Sequence, residues 1–212
     1  MKTIAIIGAG TGLSQAVAET FSKHGFALRL ISRNAQNLEK LASQLKADGI
    51  DVDFASADAG NSQQLSQALK KLEPSTGFDV VLYNAAALKA KDILEETSET
   101  LTRDFEVNTA GALNAIQTTY NGLKATKGAF LLTGGGLALT PSPDYGTLSI
   151  GKAGLRSLAF QLHDRLKPDG IYVGLLTVAG FIDAESETHS PELLAKLFWQ
   201  LYEQRAQVEF HK

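Results

Sequence analysis

The 212-residue sequence contains no cysteine, only one methionine and one tryptophan, and only five prolines. Because cysteine is absent, the chain can form neither a disulfide framework nor a thiolate metal site. The four histidines do not show the spacing of metal ligands, so we predict no metal centre. The formal net charge is -3, and no run of five or six like charges occurs. This charge pattern argues against a nucleic-acid partner and favours a small molecule.

Long apolar runs are also missing. No stretch approaches the eighteen apolar residues of a membrane-spanning helix, and the first apolar run is shorter than the core of a signal peptide. We therefore expect a soluble, cytoplasmic protein without a membrane partner. Hydrophobic residues make up 44% of the chain, which is enough for one good-sized core. We expect residues 1–212 to form one domain.

A glycine cluster follows the first apolar run and precedes a helical pattern. Its sequence is Gly8-Ala9-Gly10-Thr11-Gly12-Leu13. Glycines let a backbone turn sharply and approach a ligand closely, and free N–H groups at a helix start favour a phosphate. The cluster therefore predicts a nucleotide pyrophosphate site. The same spacing also suits S-adenosylmethionine enzymes, and a glycine turn without any ligand is a third possibility.

Apolar strand patterns alternate with amphipathic helical patterns along the rest of the chain. Further strands are predicted over residues 27–32, 51–56, 79–83, 128–133, 171–177 and 208–210. Helices are predicted over 12–24 and 98–123, after Asn34, after Asn61, before Lys167 and after Ser190. Residues 134–144, rich in glycine and proline, are expected to be irregular. The alternation predicts an α/β fold with a doubly wound, Rossmann-like parallel sheet.

In such sheets, ligands bind beyond the carboxyl ends of the strands. The strand ends that would border this crevice are Gly8–Leu13, Ser32-Arg33, Asp58-Ala59, Asn84–Ala86, Thr133–Gly136 and Ala179–Ile182. These six segments form the candidate site.

The ordered set of segments resembles the short-chain dehydrogenase/reductase family over essentially the whole chain. The glycine cluster resembles the family's cofactor turn, although Ser14 stands where a third glycine is usual. Asp58-Ala59 resembles the family's adenine-contacting pair, and Asn84-Ala85-Ala86 resembles its Asn-Ala-Gly segment. Val107-Asn108 and Gly151-Lys152-Ala153-Gly154-Leu155 resemble segments of the family's two long helices. The resemblance also implies that these helices form a subunit interface, so a homo-oligomer, either a dimer or a tetramer, is expected.

The residues after the second strand predict which cofactor binds. An acidic residue there would bond a ribose 2′-hydroxyl, whereas an arginine accommodates a 2′-phosphate. The chain has Ser32-Arg33, so we predict NADP(H), and the missing carboxylate counts against an S-adenosylmethionine enzyme. The predicted cofactor-binding residues are Gly8, Gly10, Thr11, Gly12, Leu13, Ser32, Arg33, Asp58, Ala59, Asn84, Ala85, Ala86 and Lys152.

The resemblance implies roles for two further polar residues. In the family, the lysine at the position of Lys152 bonds the nicotinamide ribose and lowers the pKa of a tyrosine one helical turn earlier. The asparagine at the position of Asn108 holds a proton-relay water and the local backbone. Without the resemblance, Lys152 could be a surface lysine, and Asn108 could simply bond internal backbone.

This chain departs from the family at two catalytic positions. The residue four before Lys152 is Leu148 rather than tyrosine, and Gly135 stands near the position of the carbonyl-polarising serine. Tyr145 is a candidate substitute, provided that the helix begins only after Gly146. The N–H groups of residues 134–136 could replace the serine. We therefore predict Asn108, Lys152 and Tyr145 as the catalytic residues.

Two functions remain open on the sequence. The first is an atypical NADP(H)-dependent oxidoreductase that acts on a small carbonyl or alcohol substrate, which the retained Asn108 and Lys152 favour. The second is a non-catalytic NADP(H)-binding sensor or assembly protein, which the missing tyrosine and serine favour.

Overall fold

All seven strands of the protein form one parallel sheet in the computed structural model, which describes residues 1–212. The strands are β1 (Lys2–Ile7), β2 (Phe26–Ser32), β3 (Val52–Ser56), β4 (Val80–Tyr83), β5 (Ala129–Gly135), β6 (Tyr172–Val178) and β7 (Glu209–His211). Their order is β3-β2-β1-β4-β5-β6-β7, so the direction of strand addition reverses between β1 and β4. The doubly wound, Rossmann-like fold is confirmed, and the reversal marks where such sheets bind ligands.

Helices cover both faces of the sheet. They are α1 (Leu13–Lys23), α2 (Ala35–Ala47), α3 (Ser62–Leu72), α4 (Ser98–Phe105), α5 (Gly111–Thr126), α6 (Gly146–Leu166) and α7 (Pro191–Gln204). The predicted N-caps are confirmed, because the side chains of Asn34, Asn61 and Ser190 accept hydrogen bonds from the N–H groups three residues on. No helix combines the length and the apolar content that crossing a membrane requires.

The sheet separates two hydrophobic cores, and neighbouring residues of a strand belong to different ones. In β1, Ile4 and Ile6 face the core beneath α1, α2 and α7, whereas Ala5 and Ile7 face the core beneath α3, α5 and α6. All four residues are fully buried. This burial on both faces explains why the strands are almost continuously apolar and why they were recognisable in the sequence.

Two segments differ from the sequence-based expectation. The predicted helix over residues 98–123 is interrupted by a π-helical turn, Glu106–Ala110, which separates α4 from α5. The glycines at 134 and 135 were expected to be irregular, but they extend β5 and pair with Thr177 and Val178 of β6. A side chain at Gly134 would lie 2.8 Å from the Thr177 hydroxyl oxygen, so the glycine lets the two strands pack closely.

Candidate functional site

The site lies at the carboxyl edge of the sheet, around the reversal between β1 and β4. A cleft of about 280 Å³ there is lined by several of the predicted cofactor-binding residues, namely Gly8, Ser32, Arg33, Asp58, Ala59, Asn84, Ala85 and Ala86. Its wall also contains Ile7, Ala9, Ile31, Ala57, Leu88 and Val107, which were not predicted to bind the cofactor. These additional residues are apolar, so they carry no chemical signal in the sequence, and only the fold brings them together.

The glycine turn has a backbone that other residues cannot easily adopt. Gly8 has a φ of 85°, and a Cβ atom on it would lie 2.6 Å from the backbone nitrogen of Ala85. Its N–H and that of Ala9 both donate to the Ile31 carbonyl at 2.9 Å. The turn is therefore pressed against the segment after β4 and tied to the end of β2.

The start of α1 leaves its N–H groups free for a ligand. Its N-cap is Gly12, with a φ of 83°, and no side chain caps the helix or brings a negative charge to its first turn. The space beside Gly10 and Gly12 is open. Ser14 stabilises the turn from within, because its hydroxyl accepts from the Gly10 N–H at 2.9 Å. An uncapped helix start with open space in front of it suits a pyrophosphate, and the predicted residues Thr11 and Leu13 complete this turn.

The end of β2 presents an exposed cation. Arg33 lines the cleft and forms no ion pair, and Ser32 stands beside it. Asp58, which also lines the cleft, is held in place because its N–H donates to the Gln64 side chain at 3.1 Å and its carboxylate accepts from the Gly60 N–H at 3.0 Å. Arg33 is thus available for an anionic group of a ligand.

A chain of hydrogen bonds connects the glycine turn to Lys152. The Asn84 amide donates to the Gly8 carbonyl at 3.4 Å, and the Thr133 hydroxyl donates to the Asn84 side-chain oxygen at 2.8 Å. The Thr133 carbonyl in turn accepts from the Lys152 ammonium at 2.7 Å. The residues that directly follow β1 and β4 are therefore fixed relative to β5 and α6 by polar contacts.

Lys152 is a buried lysine without a counterion. Its exposed fraction is 8%, so the alternative of a surface lysine is wrong. No carboxylate forms an ion pair with it, and burial alone lowers the pKa of Lys152 to about 8. This lysine can therefore exchange a proton near neutral pH, which an ordinary exposed lysine does not do.

Asn108 lies in the π-helical turn with an exposed fraction of 1%. Its side-chain oxygen accepts from the Ala87 N–H at 2.8 Å, so it holds the segment that follows β4. Its amide nitrogen is buried and has no hydrogen-bond partner. A Cβ atom on Gly151 would lie 2.5 Å from the Asn108 Cβ, so Asn108 contacts α6 directly beside Lys152. The internal backbone bond is confirmed, and both N–H donors of the amide nitrogen are without a partner.

The structure leaves Tyr145 outside the described hydrogen-bond chain. Helix α6 begins at Gly146 itself, and Tyr145 is its half-buried N-cap, so the condition of a helix start after Gly146 is not met. Tyr145 is seven residues from Lys152, which corresponds to about 10 Å along a helix. Its backbone pairs with Lys91, and its hydroxyl makes no hydrogen bond. A catalytic role for Tyr145 stays a prediction.

Leu148 and Gly135, the two positions singled out in the sequence, lie close to Lys152. Leu148, one turn earlier on α6, is buried. Gly135 has an extended backbone, and a Cβ atom on it would lie 3.5 Å from Cγ and Cε of Lys152. Neither position supplies a hydroxyl group.

Sequence reasoning did not identify a buried ionic cluster beside the start of α6. Asp104 accepts from the Thr147 hydroxyl at 2.8 Å and pairs with Lys89 at 3.1 Å. Lys89 also pairs with Glu96 at 2.7 Å. These contacts attach the segment after β4 to α4 and α6. The one sequence signal was the set of charged residues in and around α4, which is equally typical of an exposed helix.

Comparisons with known proteins agree with this architecture. Residues 2–192 match the sequence model of the family described as short chain dehydrogenase. The chain is 25% identical over 180 residues to a 3-dehydrosphinganine reductase from Arabidopsis thaliana, covering 82% of this chain and 54% of that protein. The chain therefore spans about half the length of this curated relative.

Two solved structures show the same fold. An alcohol dehydrogenase from the archaeon Thermococcus sibiricus, complexed with 5-hydroxy-NADP, has a TM-score of 0.89 and 24% identity, covering 100% of this chain and 96% of that one. A short chain oxidoreductase from Pseudomonas aeruginosa PAO1, described as containing an atypical catalytic center, has a TM-score of 0.90 and 15% identity, covering 99% and 95%. By the match over residues 2–192, this chain belongs to the short-chain dehydrogenase family.

Proposed function

We propose that this protein is an atypical NADP(H)-dependent oxidoreductase that reduces a small carbonyl compound or oxidises the corresponding alcohol. The observation that carries the proposal is the hydrogen-bond chain from Gly8 through Asn84 and Thr133 to Lys152. Burying an uncompensated ammonium group is costly, so its position beside the site indicates a role beyond packing. The series of hydrogen bonds holds the Lys152 ammonium in a fixed position relative to the glycine turn, as acid–base chemistry beside a cofactor requires.

The described residues fit NADP(H). The uncapped start of α1 and the close-packed Gly8 would hold the pyrophosphate, and Ser32 with Arg33 would hold the 2′-phosphate. The 5-hydroxy-NADP in the Thermococcus sibiricus structure supports this choice. When bound, the nicotinamide supplies or accepts the hydride. The protein's own residues bind it, orient it and move the proton.

The remaining predicted residues would contact the two opposite ends of NADP(H). Asp58 and Ala59 would face the adenine, whereas Asn84, Ala85, Ala86 and Lys152 would lie toward the nicotinamide ribose. The free amide nitrogen of Asn108 would bind a water molecule of the proton relay.

We also propose that the protein is a homo-oligomer. Helices α4, α5 and α6 expose large apolar side chains, namely Phe105, Leu113, Ile150 and Phe160. Apolar side chains exposed on neighbouring helices are typical of a subunit interface. Light scattering on the purified protein would test the dimer or tetramer.

A second function is favoured by Leu148 and Gly135, which remove two expected hydroxyl groups. On this alternative, the protein binds NADP(H) as a sensor or assembly partner without turnover.

The Pseudomonas aeruginosa oxidoreductase favours the oxidoreductase function over this alternative. Its catalytic center is described as atypical, and the protein is still described as an oxidoreductase.

Cofactor binding tests the NADP(H) assignment. Replacing Arg33 by alanine removes a charge-assisted bond to the 2′-phosphate, so the Kd for NADPH should rise about 10- to 100-fold, measured by fluorescence titration. The Kd for NADH should change less than about twofold. Lys40→Ala, on the exposed side of α2, is the matched control for loss of one positive charge. Equal weakening of both cofactors by Arg33→Ala would overturn the assignment.

Turnover separates the two functions. The purified protein is incubated with NADPH and a panel of aldehydes and ketones, and the absorbance of the reduced cofactor is followed. Consumption of NADPH with a matching yield of alcohol supports the oxidoreductase. If NADPH binds without any turnover, and Leu148→Tyr with Gly135→Ser creates turnover, the non-catalytic alternative is correct.

A further inference from the structure

The hydroxyl groups near Lys152 are already engaged in structural hydrogen bonds. Thr133 donates to Asn84 at 2.8 Å, and Thr147 donates to the buried Asp104 carboxylate at 2.8 Å. The Ser149 hydroxyl accepts from the Ser142 N–H at 3.2 Å and donates to its carbonyl at 3.4 Å. A proton given away by any of these hydroxyls would break a contact that holds the site together. A proton donor other than these three hydroxyls is needed.

Two of the three N–H donors of the Lys152 ammonium have no acceptor in the structure. An ammonium group carries three N–H bonds, and the structure accounts for one acceptor, the Thr133 carbonyl at 2.7 Å. Two N–H bonds remain for a substrate oxygen or a water molecule. No carboxylate competes for them, because Lys152 forms no ion pair.

Two neighbours of the lysine carry no polar side chain. Gly135 lies against the aliphatic stem of Lys152 and covers it with no side chain. Leu148 offers neither a donor nor an acceptor. Lys152 reaches the end of β5 through its bond to the Thr133 carbonyl, and burial lowers its pKa to about 8, close to the value that suits a general acid.

We propose, on the basis of the oxidoreductase function above, that Lys152 itself is the proton donor of the reaction. As the carbonyl carbon receives the hydride, an N–H bond of the Lys152 ammonium breaks and its proton forms the O–H bond of the alcohol, directly or across one water molecule. Lys152 is left as a neutral amine, which takes its next proton from solvent. In the oxidative direction, the neutral amine accepts the proton of the alcohol.

Arginine at position 152 provides the decisive comparison. It keeps the positive charge and the hydrogen-bond donors that cofactor binding would use, but it does not release a proton at neutral pH. Lys152→Arg should therefore keep the Kd for NADPH within about threefold and lose at least about 100-fold in kcat. The wild-type pH profile of kcat for reduction should fall above about pH 8, and this limb should vanish in the variant. Lys167→Arg, exposed beyond the end of α6, is the matched control.

Lys152→Met provides a second variant if arginine does not fit the buried site, since methionine keeps an unbranched stem of similar length. Circular dichroism confirms folding of each variant. Retention of kcat and of the pH limb in a folded Lys152→Arg or Lys152→Met protein would overturn the proposal. Loss of the limb in Tyr145→Phe would overturn it as well and would identify the phenol as the donor.

The titration of Lys152 can also be measured in the ligand-free protein, without any turnover. Carbon-13 NMR of labelled lysine follows the Cε signals with pH, and the signal missing from Lys152→Arg identifies Lys152. We expect that signal to titrate near pH 8, whereas a midpoint above pH 10 would overturn the proposal. If Lys152 titrates near pH 8 but the wild type turns over no carbonyl compound, the proposed function fails, and Lys152 has no reaction to serve.

Discussion

Replacing Lys152 by methionine removes a buried charge and leaves a flexible apolar stem in its place. Burial lowers the pKa of this lysine from 10.5 to about 8. Since one pKa unit corresponds to about 1.4 kcal/mol, the folded protein bears a penalty of about 3 kcal/mol for keeping the ammonium charged. The penalty applies at pH 7, where both the folded and the unfolded protein hold the proton.

The direction in which the free energy of unfolding changes with pH follows from the number of protons that the folded and the unfolded protein bind. Between pH 8 and pH 10.5 the unfolded chain keeps the proton of Lys152, whereas the folded protein has lost it. The unfolded state then binds more protons, so the free energy of unfolding of the wild type rises with pH relative to the variant. From pH 7 to pH 10 the gain amounts to about 2.5 kcal/mol. The lost bond to the Thr133 carbonyl costs about 1 kcal/mol at every pH and does not alter this gain.

Urea denaturation at pH 7, 8, 9 and 10 measures the difference between the wild type and Lys152→Met. Groups that titrate in both proteins cancel in this difference. Lys167→Met, at an exposed lysine, serves as the control for the loss of one positive charge. A constant difference for Lys152→Met would show that the ammonium is solvated in the folded protein, and the reasoning from burial would be refuted.

Two further predictions concern glycines of the site. Gly8→Ala should lower the free energy of unfolding by about 3 kcal/mol or more, because its Cβ atom would lie 2.6 Å from the Ala85 nitrogen at a φ of 85°; an unchanged urea midpoint would contradict this. Gly135→Ser should change the free energy of unfolding by less than about 1 kcal/mol, because the backbone is extended and the added Cβ atom makes an ordinary contact with Lys152. A loss of several degrees in Tm would show that position 135 does not accept a serine.

The elements that local sequence determines could be predicted. Strands buried on both faces give continuous apolar runs, and the caps at Asn34, Asn61 and Ser190 depend on residues within three positions of each other. The glycine turn was recognisable for the same reason, since its conformation requires glycine at Gly8.

The parts that depend on distant contacts could not be predicted. Lys152 donates to a backbone carbonyl of Thr133, and backbone atoms leave no mark in a sequence. The strand pairing with β6 outweighs the usual tendency of Gly134 and Gly135 to interrupt a strand. The π-helical turn is stabilised from outside the helix, because the Tyr83 hydroxyl donates to the Val107 carbonyl.

The π-helical turn also changes the direction in which side chains point along the continuous helical segment formed by α4, the turn and α5. An α-helix advances about 100° per residue, so one extra residue in a turn rotates everything beyond it by about that angle. Because of this rotation, Asp104 and Asn108 can face the segment after β4 while Ala112 and Ile116 face the sheet. Shortening residues 106–110 by one would keep the packing of α5 on the sheet and turn α4 away from the site. The orientation of α4 and of the site relative to the core therefore depends on the number of residues in this one turn.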